Sequence, residues 1–124
     1  MKKVLIFVGA LFISSPVLAE WKYIGSTDEE DYYLDLEQMR ESGGFRYLWA
    51  LTDNIKPKED GDFSFTFYYE LDCQRYGIRM LSFNKFDQHM GKGNITGSVS
   101  GLEQDFLFPS PQTIFGHFLK HSCE

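Results

Sequence analysis

The sequence predicts an α+β domain: an antiparallel sheet of about six strands with one C-terminal helix packed on one face. Three observations predict it. The stretch Asp62 to Arg75, DFSFTFYYELDCQR, alternates strictly, with Phe63, Phe65, Phe67, Tyr69, Leu71 and Cys73 on one side of an extended backbone and Ser64, Thr66, Tyr68, Glu70 and Asp72 on the other. Shorter alternating runs, separated by glycine, asparagine and aspartate clusters, precede and follow it. Near the C-terminus the period changes: at 100° per residue Ile114, Phe115, Phe118 and Leu119 form one continuous apolar stripe.

The chain opens with MKKVLIFVGALFISSPVLA, a basic start at Lys2 and Lys3, an apolar run interrupted at Pro16 and a small-residue ending at Ala19. This is the pattern of a secretory signal peptide rather than a membrane span. Cleavage after Ala19 leaves 105 residues from Glu20, enough for one domain with a modest core. It also takes the formal charge from −6 to −8, with the basic residues scattered. That argues against a nucleic-acid partner and offers no patch for anionic lipid, while leaving a basic partner open. No second long apolar run follows, so no transmembrane segment is expected in the mature chain.

Glu20 to Ser26 reads as a short strand with Trp21 and Tyr23 on one face, and Tyr32 to Leu36 as a second. The acidic run Asp28 to Asp31 between them reads as a solvated turn, because it lacks the regular spacing of a calcium loop. Leu36 to Met39 fits a single helical turn, and Glu41-Ser42-Gly43-Gly44 a change of direction. Phe45 to Thr52 alternates, with Phe45, Tyr47, Trp49 and Leu51 against Arg46, Leu48, Ala50 and Thr52. Its second face is half apolar, which predicts a central strand partly covered on both sides. Asp53 to Gly61, containing Pro57 and Asp60-Gly61, reads as a long hairpin loop leading into the main strand.

After Cys73 the break at Gly77 fits either a bulge or a tight hairpin. Ile78 to Phe86 resumes as a strand of ambiguous facing, since Ile78 and Met80 oppose Leu81 and Phe83. Arg75 and Arg79 are read either as salt-bridge partners of Glu70 and Asp72 across the hairpin or as a patch for anionic groups. Ile95 to Ser100 supplies the last strand. Ser110 is the expected N-cap and Pro111 the first helical residue of a helix running to about Ser122. Cys73 has Cys123 as its sole possible intramolecular partner, and export permits oxidation. Their bond would close a loop of 51 residues and fasten the helix to the main strand.

Chemistry is sparse. His117 and His121 are four apart but project away from the apolar stripe, and no neighbouring glutamate completes a metalloprotease pattern. His89 stands alone in a glycine-containing loop, QHMGKGN, that lacks the phosphate-loop lysine with its following serine or threonine. There is no nucleophile elbow, and both cysteines have structural work. No cofactor, metal site or enzymatic activity is expected. By contrast, ten phenylalanines, seven tyrosines and two tryptophans in 105 residues exceed what one small sheet-helix interface needs. Tyr32, Tyr47, Tyr68 and Tyr76 are candidates for exposed contact. The expected protein-binding surface is the face of the main strand that points away from the helix: Tyr68, Glu70 and Asp72, flanked by Arg75 and Arg79.

Trp21, the strand Tyr32-Tyr33-Leu34-Asp35, the run Tyr47 to Asp53, Glu70-Leu71-Asp72-Cys73 with Arg75, and Pro109-Ser110 leading a helix to Cys123 occur in an order that resembles the bacterial surface-adhesin protein E family. The resemblance implies a sheet of about six antiparallel strands with a C-terminal helix clasped to it by a disulfide. It further implies a non-enzymatic domain adhering to host extracellular-matrix or serum proteins such as laminin and vitronectin. The alternative is a periplasmic structural or envelope-interaction domain on the same fold without a host ligand. A self-complementary apolar edge would instead favour a homodimer. The founding adhesin looks lipid-anchored, whereas Ala19-Glu20 here carries no lipobox cysteine, so a periplasmic or secreted protein is expected rather than a lipoprotein. Phe106 or Phe108 stands where the family usually has a tryptophan before the Pro-Ser turn.

Overall fold

The computed structural model describes residues 19–56 and 61–124. Residues 1–18 of the expected signal segment and residues 57–60 of the expected hairpin loop, Pro57 among them, lie outside the described residues. In chain order the strands are β1 (Lys22–Ser26), β2 (Glu30–Leu34), β3 (Arg40–Ser42), β4 (Phe45–Asn54), β5 (Ser64–Asp72), β6 (Gly77–Phe86) and β7 (Ile95–Val99), followed by helix α1 (Ile114–Cys123). They form one antiparallel sheet in the order β1-β2-β4-β5-β6-β7. The short β3 continues the edge of β4 below β2.

β5 is long because its alternation is unbroken, and it pairs on both sides, from Arg46↔Leu71 to Asp53↔Ser64 with β4 and from Ser64↔Phe86 to Asp72↔Gly77 with β6. This register gathers Leu48, Ala50, Phe67, Tyr69, Leu71 and Ile78 on one face, here the front. Tyr47, Trp49, Tyr68, Glu70 and Arg79 share the back. The ambiguous facing of β6 has a physical cause. Tyr68 pairs with Ser82 but Tyr69 with Met80, so Leu81 is an extra residue, a bulge that puts Met80 and Phe83 on the same face although they are three apart.

Helix α1 lies on the front. Phe118 and Leu119 are buried in the cluster formed by Leu34, Leu48, Tyr69, Leu71 and Ile78, while Ile114 and Phe115 pack half-buried at its border. Phe118 meets Tyr32 and Tyr69 with ring centroids 6.3 and 6.1 Å away, and Phe115 meets Tyr69 edge-on at 5.9 Å. The helix starts at Thr113, not at Ser110: the Thr113 hydroxyl accepts the Gly116 N–H at 3.1 Å, and Ser110 instead heads the preceding turn, its carbonyl accepting the Thr113 N–H at 3.1 Å. Both residues are good caps by type, and the continuous hydrogen-bonded ladder begins only after the second.

At the other end Cys123 is bonded to Cys73, Cα to Cα 5.6 Å. Arg46, on β4, donates from Nη1 to the Ser122 carbonyl at 2.5 Å, which satisfies a last-turn carbonyl with a cation at the negative end of the helix dipole. Three devices therefore hold the helix: its apolar stripe, the disulfide and this guanidinium.

The seventh strand, β3, is a finding that alternation did not announce. Gly43 and Gly44 both have positive φ, +61° and +86°, between the paired Ser42 and Phe45. That is a two-residue turn whose backbone favours glycine, and it folds Arg40–Ser42 back along β4.

Candidate functional site

The back of the sheet is built from side chains that the register of β4, β5 and β6 brings abreast. Glu70 faces Tyr47 on one side and Arg79 on the other. Arg79 Nε donates to Glu70 Oε1 at 2.5 Å and the Tyr47 hydroxyl to Glu70 Oε2 at 2.7 Å, so both oxygens of this buried carboxylate are engaged. The hydrogen bond to Glu70, with burial and the carboxylate charge, raises the Tyr47 phenol above its ordinary value. Two residues along the strand, Asp72 accepts from Arg75 Nε at 2.7 Å and from the Arg75 backbone N–H at 3.2 Å. These bonds hold the Asp72 carboxyl below the usual range.

A second layer covers this pair of ion pairs. Leu107 exchanges both backbone hydrogen bonds with Ile78, at 2.9 and 2.8 Å, taking over the edge of β6 beyond the end of β7. Alternation then sends Phe106 and Phe108 to the back. The Arg79 guanidinium lies 4.3 Å from the Phe106 ring centre and that of Arg75 5.7 Å, with Arg75 also 5.3 Å from Phe108. Phe106 in turn stacks on Phe45 at 6.0 Å and 12°. The aromatic row continues through Tyr68, 6.3 Å from Tyr47 and 4.9 Å from Trp49, and the Tyr68 hydroxyl accepts from Arg40 Nη2 at 3.0 Å.

Of the five residues the sequence singled out for binding, Glu70 and Asp72 are buried, Tyr68 and Arg79 are half-buried, and Arg75 is exposed. The salt-bridge reading of the arginines is the one the geometry adopts, with Arg79 bridging across the hairpin and Arg75 within its turn. What this face presents outward is guanidinium and phenol, with the carboxylates underneath as anchors. Arg40 is a member that the sequence reading missed, and Phe106, read only as standing in place of a tryptophan, is one whose position over the arginines it did not give. A signal for Arg40 existed in its position just before the Gly43-Gly44 turn, whereas the return of Phe106 depends on a single bridge between distant residues.

The other chemistry-bearing residues do not converge. His117 and His121 are exposed on α1. His89 Nδ1 lies 3.1 Å from Asp53 Oδ1, which also accepts the Met90 N–H at 3.0 Å. Among the described residues no group of three or more histidine, cysteine, aspartate or glutamate side chains is gathered for a metal ion, and no helix is long and apolar enough to cross a membrane. On the front, beside α1, an apolar groove of about 470 Å³ runs over β5 and β6, a second feature absent from the sequence reading.

The profile of the family described as surface-adhesin protein E matches residues 21–124. The chain belongs to the surface-adhesin protein E family. Solved structures of Haemophilus influenzae protein E share the fold: one is 19% identical with a TM-score of 0.60, over 87% of this chain and 88% of that one. A second crystal form is 16% identical with a TM-score of 0.58, over 81% and 91%. Protein E from non-typeable Haemophilus influenzae is 18% identical with a TM-score of 0.56, over 87% and 79%. Among curated proteins no match was found. The sheet with its single clasped helix is thus the adhesin E fold, and the family is described as one of surface adhesins.

Proposed function

We propose that this chain is an exported, non-enzymatic binding domain that adheres to host extracellular-matrix or serum proteins of the laminin or vitronectin type, and that it does so through the back of its sheet. Family membership over residues 21–124 is the observation that carries the reading. The composition of the back face supports it, because arginine and tyrosine are enriched where proteins meet and both are held rigid here. Tyr68, Arg75 and Arg79 make the contacts. Glu70 and Asp72 fix the two guanidinium groups in place. The signal peptide is removed after Ala19, which exports the mature chain to the periplasm or beyond. Self-association uses a different surface, the open edge of β7, where Ile95 and Val99 are exposed.

Fractionation of the native host, combined with protease shaving of intact cells, tests the reading. Accessible protein at the surface or in the medium supports it. Periplasmic release with full protection in intact cells overturns it in favour of an envelope domain without a host ligand.

A further inference from the structure

A pocket of about 270 Å³ opens on the back of the sheet beyond Tyr68, toward the end of β5 away from Glu70 and Arg79. The register builds its floor. Thr66 of β5 stands opposite Asn84 of β6 on one side and Leu51 of β4 on the other. Leu51 faces Tyr33 of β2, and Asp35, two residues further on, lies on the same face, its N–H donating to the Trp49 carbonyl at 3.0 Å. Trp49 and, from the segment ahead of β1, Trp21 add two indoles to the lining, and these are the only tryptophans in the sequence. Ala19 also lines the pocket but precedes the expected cleavage point, so the mature chain loses that one small side chain and keeps the rest.

The polar groups here have hydrogen-bonding capacity left over. Asp35 is 2% exposed, yet among the described residues only one of its carboxylate oxygens is engaged, Oδ1, by the Gln38 N–H at 3.3 Å. A carboxylate held that far from water is costly unless donors reach it, and Oδ2 receives none from those residues. The Asn84 amide is fixed by its neighbours: Oδ1 accepts from the Ser98 hydroxyl at 2.7 Å, and Nδ2 gives one proton to Thr66 Oγ1 at 3.2 Å. The second amide proton and the Thr66 hydroxyl proton remain to be donated. The pocket therefore combines an open acceptor with two open donors. A simple cation brings donors alone and a simple anion acceptors alone. A hydroxylated ring brings both, and its C–H face is attracted to the negative face of an indole.

We propose that this pocket binds one neutral pyranose ring, whose hydroxyls donate to Asp35 and accept from Thr66 and Asn84 while its C–H face lies on an indole. The volume is just below the usual range for drug-sized ligands and suits a single ring rather than a chain. The site is separate from the guanidinium contacts assigned to protein adhesion and stands whether or not those hold.

The test uses the disulfide-bonded mature chain and the methyl glycosides of galactose, glucose, mannose and N-acetylglucosamine, with tetramethylammonium and sulfate as charged controls. Because both tryptophans line the pocket, intrinsic fluorescence reads binding, and the two indole N–H signals in two-dimensional nitrogen-proton spectra locate it. At least one glycoside is expected to give a saturable change in both, and neither ion to do so. Asp35→Asn keeps the side-chain shape but turns the open acceptor into a donor, and should weaken that glycoside by about tenfold or more. Trp21→Ala, outside every strand, should weaken it by about tenfold as well. Capture of a galactose-terminated glycoprotein that is lost on enzymatic removal of its glycans identifies a host glycan as the source of the ring, and capture of soluble peptidoglycan fragments identifies an envelope glycan; either upholds the proposal. No saturable response to any glycoside would overturn it, as would an equal response to tetramethylammonium or sulfate, or glycoside affinity unchanged in both correctly folded variants.

Discussion

Removing the Cys73–Cys123 bond is the perturbation whose size follows most directly from the connectivity. The two cysteines are 50 residues apart in sequence. Releasing a loop of that length returns conformational entropy to the unfolded chain equivalent to about 4 kcal/mol on the chain-entropy estimate. With a urea m-value of about 1.5 kcal/mol per M for a domain of this size, the unfolding midpoint should fall by roughly 2.5 M in the double variant Cys73→Ser/Cys123→Ser. The folded contacts soften that figure little, because Phe118 and Leu119 keep their apolar burial and Arg46 keeps the Ser122 carbonyl. The assay is urea unfolding followed by circular dichroism and by tryptophan fluorescence, with the oxidised wild type, the reduced wild type and the double variant in parallel. The reduced protein and the double variant should unfold together. A drop below about 0.5 M in both, with m unchanged, would refute the reasoning, since the clasp would then constrain nothing that the unfolded chain could use.

Other expectations follow from single contacts. Gly116→Ala should destabilise by about 2 kcal/mol even though alanine is the better helix former, because its Cβ would sit 2.3 Å from the Ser110 carbonyl oxygen; a melting temperature at or above wild type would contradict this. Thr113→Ala should cost about 1 kcal/mol and Ser110→Ala distinctly less, as urea midpoints will report, because the cap hydrogen bond is made by Thr113. Arg79→Ala should cost about 2 kcal/mol by stranding the buried Glu70 carboxylate, and adding Glu70→Gln should recover part of it in the same assay. Asp72 has a folded pKa below its unfolded value, so its contribution is fully present above the unfolded value and is lost as pH falls through the folded one. Stability measured from pH 6 down to pH 2 should therefore decline less steeply in Asp72→Asn than in wild type.

How far the fold could be read in advance depended on whether a residue's role was local. The alternation from Phe63 to Cys73 is a property of neighbours, so β5 and its helix-facing side were legible. So were the central place of β4, the stripe on α1 and the pairing of the two cysteines. β6 was legible as a strand but not in its facing, because a bulge at Leu81 is decided by the partner's register rather than by the strand's own pattern. Arg40–Ser42 carries no buried apolar residue, so β3 left no periodic trace. Ser110 and Thr113 are equivalent as caps by type, and the space left by Gly116 against the Ser110 to Pro111 backbone belongs to the tertiary structure.

The candidate site divides in the same way. The pairing of Glu70 with Arg79 was one of two readings open to the sequence, since residues nine apart across a hairpin can be placed opposite each other. The burial of both carboxylates beneath Phe106 was not, since it needs the Ile78 to Leu107 bridge across 29 positions. The front groove is a volume left between elements and has no sequence motif at all.

The most direct measurement is solid-phase binding of the mature chain to immobilised laminin and vitronectin, with wild type beside Tyr68→Ala and the charge reversal Arg75→Glu, each first checked for a native circular dichroism spectrum. The account predicts saturable binding by wild type, at least tenfold weaker in the correctly folded Tyr68→Ala and Arg75→Glu variants, and unchanged by Glu30→Gln on the opposite face. Absence of saturable binding by wild type, or binding that ignores both back-face substitutions, would contradict it.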